Sequence, residues 1–139
     1  MTIIKCISSL LALSLLSPMF AKPNLDKMSQ AELTAHYGDK TRAAYAQLDK
    51  YVDATRKHLL QAKATPEEIE AFEESQKKWI EYRNAVGRTH NLRSGSITPL
   101  ICNIRLAAMA NDRAFTIWED YLTTMSPSEP DIMPSPKKM

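Results

Sequence analysis

Thr65-Pro66-Glu67-Glu68 spells out a helix start in four residues, and no other segment constrains the chain as much. A threonine N-cap accepts from the amide three residues on, the glutamate there reaches back to the cap amide, and a proline at the first helical position loses nothing by lacking an N–H. Behind it Ile69, Phe72, Gln76, Trp79, Arg83 and Val86 recur on one helical face with Ile80 beside them, which predicts an amphipathic helix to about Val86 or His90. Glu67, Glu68 and Glu70 fall in the first turn, where the helix dipole favours anions.

Thr98-Pro99 repeats the pattern of cap and proline, and predicts a last helix running to about Thr123 with Ile101, Ile104, Ala108, Phe115, Trp118 and Leu122 as its inner stripe. A polar loop, Asn91 to Ser96, joins the two helices, and so short a connection packs them antiparallel. Upstream, the spacing predicts a short helix from Ser29 to Tyr37, a break at Gly38, and a longer helix capped by Asp39 and running to about Lys63. Its apolar face is Tyr45, Leu48, Val52 and Leu59. With only 3 glycines in 139 residues and no β-branched runs, no strand is predicted. The fold class is therefore all-α, a small antiparallel helical hairpin widened by a third helix into a three-helix bundle. Pro127, Pro130, Pro134 and Pro136 punctuate the last stretch, so residues 126–139 are expected to form a disordered tail.

The first residues read as an export signal. Lys5 is followed by an apolar run from Ile7 to Leu16, a break at Pro18 and a small residue at Ala21. The run is shorter than the roughly 20 residues that a membrane helix needs, and no second apolar segment of spanning length follows. The expected division is a cleaved signal peptide over 1–21, a helical domain over 22–125 and the tail. That places the protein in a bacterial periplasm or outside the cell. Residues 1–21 carry a single charge, Lys5, so their removal lowers the formal net charge from +2 to +1. A balance so near neutral gives no reason to expect nucleic acid as a partner. Cys102 is then the only cysteine, read either as a buried thiol acting as a small hydrophobe or as the link of a covalent dimer.

The chain shows little sign of catalytic chemistry. His36, His58 and His90 are scattered without metal-ligand spacing, no cofactor motif is present, and there is no phosphate loop or G-x-S-x-G. The acids from Glu67 to Glu74 invite comparison with a carboxylate-pair hydrolase, but helical spacing spreads them over more than one face. No enzyme is expected. The informative segment is Gln76-Lys77-Lys78-Trp79-Ile80-Glu81-Tyr82-Arg83-Asn84-Ala85. Trp79 and Arg83 lie four apart on an otherwise apolar face, so the guanidinium can rest on the indole. Its charge needs a partner, for which Asp112 and Glu119 on the last helix are candidates.

Taken in order, Gln76, Trp79, Tyr82, Arg83 and Asn84, then Gly95-Ser96, Pro99-Leu100, Cys102 and Arg113 resemble the lysozyme-inhibitor LprI-like domain. That family shows a Q-x-x-W-x-x-Y-R-D segment, a Gly-Ser before the next helix, a cysteine soon after and a later arginine. The resemblance covers about Leu60 to Leu122, with Tyr45 and Leu48 fitting an upstream Tyr-x-x-Leu. It implies a non-enzymatic binding protein whose partner is a lysozyme, with another envelope protein as the alternative partner of a purely structural module. An inhibitor must plug a cleft lined by two acids, and the loop residues His90, Arg93, Ser94, Gly95 and Ser96 would supply donors and positive charge. The chain departs from the family pattern in three places. Asn84 replaces the usual Asp, and Cys102 lies farther from Arg113 than is common. Gly87 stands where the family has the cysteine that bonds the one after Gly-Ser.

Overall fold

A computed structural model describes residues 23–124 and 126–138. The export signal expected over 1–21 lies outside them. Helix α1 runs Gln30–Gln61, α2 Pro66–Asn91 and α3 Thr98–Ile117, and α3 continues through a single π-helical turn, Trp118–Leu122. A short 3₁₀ turn, Leu25–Lys27, precedes α1. No strand occurs among the described residues.

Two capping boxes start the first two helices. Ser29 and Glu32 exchange hydrogen bonds at the head of α1, with the Ser29 amide donating to the Glu32 carboxylate at 2.7 Å. These bonds hold the Glu32 carboxyl below its ordinary pKa. Thr65 and Glu68 do the same at α2, with Pro66 at the first helical position as the sequence predicts.

Helix α1 does not break at Gly38, nor does Asp39 cap it. The helix passes through both, and Asp39 forms an ion pair with Arg42 on the surface. Gly38 sits where α3 comes close. A β-carbon there would lie 3.5 Å from the Asn103 side-chain amide, which donates to the Thr34 carbonyl at 3.2 Å. Thr41 Oγ1 donates in turn to the Asn103 carbonyl at 2.9 Å. A glycine inside a helix costs about 1 kcal/mol against alanine, a cost that the rest of α1 tolerates without breaking.

The turn from α1 to α2 places Lys63 at φ 55°, with Lys63 and Ala64 amides donating to Leu60 and Leu59. This is a Schellman cap with lysine at the left-handed position. At α3, Thr98 is the first helical residue rather than the cap. The cap position falls on Ile97, which has no side-chain hydrogen bond to offer, and the Thr98 amide donates instead to the Gly95 carbonyl at 3.2 Å. Gly95 has φ 135°, a conformation that only glycine adopts without strain.

Helix α2 is antiparallel to α1 and α3, which lie parallel to each other and pack most extensively. The side chains between α1 and α3 are small. Ala44, Ala107, Ala110 and Ala114 are buried, and Leu48, Tyr51, Phe72, Ile117 and Leu122 complete the core. The face predicted for α2 is the one it buries. The stripe predicted for α3 is not, apart from Leu122 and the half-buried Trp118: Ile101, Ile104, Ala108 and Phe115 are exposed. The helix is rolled so that its alanines meet α1, because only side chains of that size let two helices come so close.

The tail is not loose among the described residues. The Ile132 amide donates to the Leu122 carbonyl at 2.8 Å, and the Trp118 indole to that of Met133 at 2.8 Å. Tyr51 Oη donates to the Pro134 carbonyl at 2.7 Å, and Gln47 exchanges hydrogen bonds with Lys137. The prolines keep this segment out of a helix, which leaves its carbonyls free for donors on α1 and the π-helical turn. The expectation of a disordered tail missed those donors.

Candidate interaction site

Arg83 lies at the centre of the C-terminal half of α2. Tyr45 from α1 and Trp79 from α2 meet edge to face, with ring centroids 6.5 Å apart. The Arg83 guanidinium carbon lies 5.3 Å from the Tyr45 ring and 5.5 Å from the Trp79 ring. Its Nε and Nη2 donate to Asn84 Oδ1 at 3.1 and 2.8 Å. The charge is thus carried on two π faces and a neighbouring amide. Neither Asp112 nor Glu119, the partners expected from sequence, pairs with it, and both are exposed. Burial pushes the Tyr45 hydroxyl pKa up even though Arg83 pulls it the other way, so the ring stays neutral.

A shallow groove of about 340 Å³ opens beside this cluster, with Arg83, Arg88, Gly87 and Asn91 among its walls and Leu106 of α3 across from them. It leads toward the end of the bundle where α2 gives way to α3. His90 is half-buried there, while Arg93, Ser94, Gly95 and Ser96 are exposed. The loop is tied to the head of α1, where the Gln30 side-chain amide donates to the Ser96 carbonyl and Ser96 Oγ meets Gln30 Oε1 at 3.4 Å. The five loop residues singled out from sequence therefore form one surface.

Two features of that surface were missed at the level of sequence. Between Glu81 and Asp112 the chain contains Arg83, Arg88, Arg93 and Arg105 and no carboxylate at all. A near-neutral total hides this asymmetry, which a running charge count would reveal. Leu92 is 87% exposed and Ile97 52%, so two apolar side chains stand at the tip among the arginines. Glu32, at the head of α1, lies on the loop's side of the bundle, whereas Glu73 and Glu74 lie toward the opposite end. There Arg56 clamps Glu73 with Nε and Nη2 at 2.7 and 2.9 Å, and Glu74 meets Lys78 at 2.8 Å. The Arg56 bonds hold the Glu73 carboxyl below its ordinary pKa. Both acids are engaged with cations.

The family model described as lysozyme inhibitor LprI matches residues 21–116, more than two-thirds of the chain. The chain belongs to the LprI lysozyme-inhibitor family. No curated protein and no solved structure matches it.

Within this LprI-family chain the signature residues divide by location. Gln76 is buried, with its Nε2 lacking a partner. Ser75 Oγ donates to the Phe72 carbonyl at 2.7 Å and accepts from Arg113 Nη2 at 2.8 Å, which ties α3 to α2. Burial lowers the Arg113 pKa, and its Nε has no partner among the described residues. Tyr82 points outward at 56% exposure, and packing gives no reason for a tyrosine there. Cys102 is a free, buried thiol whose pKa is raised by burial. A β-carbon built on Gly87 meets nothing within 4 Å.

Proposed function

We propose that this LprI-family chain is exported to the envelope and blocks a peptidoglycan-hydrolysing lysozyme by seating the Leu92–Ile97 end of its bundle in the enzyme's cleft. Glycoside hydrolysis uses a pair of carboxyl groups flanking the scissile bond, so the cleft that must be plugged is acidic. The observation that carries the reading is the stretch between Glu81 and Asp112, which holds four arginines and no acid and sets the exposed Arg88 and Arg93 at that end. Arg88 and Arg93 would meet the cleft carboxylates, and arginine suits this role because its fork matches a carboxylate in two hydrogen bonds. Leu92 and Ile97 would exclude water around them. The tie from Gln30 to Ser96 reduces the entropy lost when the loop docks. Export is supported by the family match beginning at residue 21, where the apolar leader ends.

The test is lysis of a cell-wall suspension by lysozyme with and without the purified protein. Saturable inhibition is expected. It should weaken as salt rises, and Arg88→Glu with Arg93→Glu should abolish it while helicity is kept. Unimpeded lysis at micromolar protein would overturn the proposal.

A further inference from the structure

We propose that α3 is also a self-association surface, on which a second copy of this chain packs its own α3 antiparallel. The helix turns a second apolar stripe away from the core, with Ile97 at 52%, Ile101 at 44%, Ile104 at 42% and Phe115 at 36% exposure, and Ala108 exposed between them. Together with Asn111 and the half-buried Trp118 these residues step by four and three in strict alternation, which is the a/d seam of a coiled coil. A seam of this length gives a second helix a continuous groove, and the Ala108 groove, of about 530 Å³, is walled on one flank by Pro136 and Lys137 of the tail.

Charge selects both the occupant and its direction. With Ile101, Ala108 and Phe115 at a, the e positions in the middle of the seam are Arg105 and Asp112, flanked by Thr98 and Glu119 at its ends. Arg105 and Asp112 are exposed, and neither forms an ion pair among the described residues. An antiparallel pair sets e against e, and a parallel pair sets e against g. The g positions are Ala107 and Ala114, spent on the core. Only the antiparallel arrangement gives these charges a partner. When each a position meets a d position, Ile104 packs on the partner's Phe115, Ile101 on the partner's Trp118, and Ala108 on the partner's Asn111, a small residue at the centre of the crossing. The same register brings Arg105 to the partner's Asp112, twice by symmetry. The two arginine-bearing loops then point in opposite directions and stay free.

Sedimentation equilibrium of the purified protein from micromolar to millimolar concentration tests this, with circular dichroism confirming that each variant is folded. The wild type should dimerise, and Ile104→Glu should be a folded monomer. Arg105→Asp and Asp112→Arg should each weaken association by about tenfold or more, since each sets like charges face to face on both sides of the seam. The double variant Arg105→Asp/Asp112→Arg should recover the wild-type constant. A monomer at every concentration overturns the proposal and leaves the seam to a different chain. Association that the double variant fails to recover overturns the antiparallel register.

Discussion

Replacing Phe72 with alanine should release α2 from the bundle while leaving α1 and α3 together. Phe72 and Gln76 are the only buried residues of α2, and the Gln76 amide nitrogen has no partner among the described residues. Phe72 is 0% exposed and meets the Tyr121 ring edge to face at 5.1 Å. Truncating a fully buried phenylalanine costs about 3–5 kcal/mol through lost transfer energy and the cavity left behind. A domain of this size gains about 0.24 kcal/mol/K of unfolding entropy, so each kcal/mol lowers Tm by about 4 °C and the expected fall is about 12–20 °C. Thermal melts followed by circular dichroism measure it. Hydrogen exchange supplies the spatial test, because amides of α2 should lose protection first. The close contact of Ala44 with the α3 alanines does not involve Phe72, so amides there should keep theirs. A loss below about 1 kcal/mol, or protection falling equally in all three helices, would refute the view that Phe72 is the main apolar anchor of α2.

Gly87→Ala should raise stability by about 0.5–1 kcal/mol, because the site is helical and a β-carbon there meets open space; denaturant titration checks it. The Arg56–Glu73 pair makes a pH-dependent contribution. The folded state holds Glu73 below its ordinary pKa, so the stabilisation is complete above the ordinary carboxylate range and disappears as the pH falls through the lowered value. Both side chains are nearly half exposed, which limits the effect to under about 1 kcal/mol. Arg56→Ala should flatten this part of an acid denaturation profile, and an unchanged profile would count against the pair. Cys102 is buried with a raised pKa, so a thiol reagent should modify it only at the rate of unfolding, and prompt labelling of native protein would contradict its placement.

The helix starts at Thr65 and the buried face of α2 were legible because both are local. A capping box is complete within four residues, and Phe72, Trp79 and Val86 are large enough to mark their side of the helix. The five loop residues could likewise be grouped from sequence, since they are contiguous. The roll of α3, the continuity of α1 through Gly38 and the docking of the tail were decided by tertiary structure. Isoleucine and phenylalanine outweigh alanine in any count of hydrophobicity, so the stripe from Ile101 to Phe115 reads as the core. Yet burial in a close helix pair is limited by volume, and Ala107, Ala110 and Ala114 fit against Ala44 where larger side chains would force α1 away. Gly38 reads as a break until Asn103 is seen beside it. A sequence records how apolar each residue is, but only the fold sets how much room its neighbours leave.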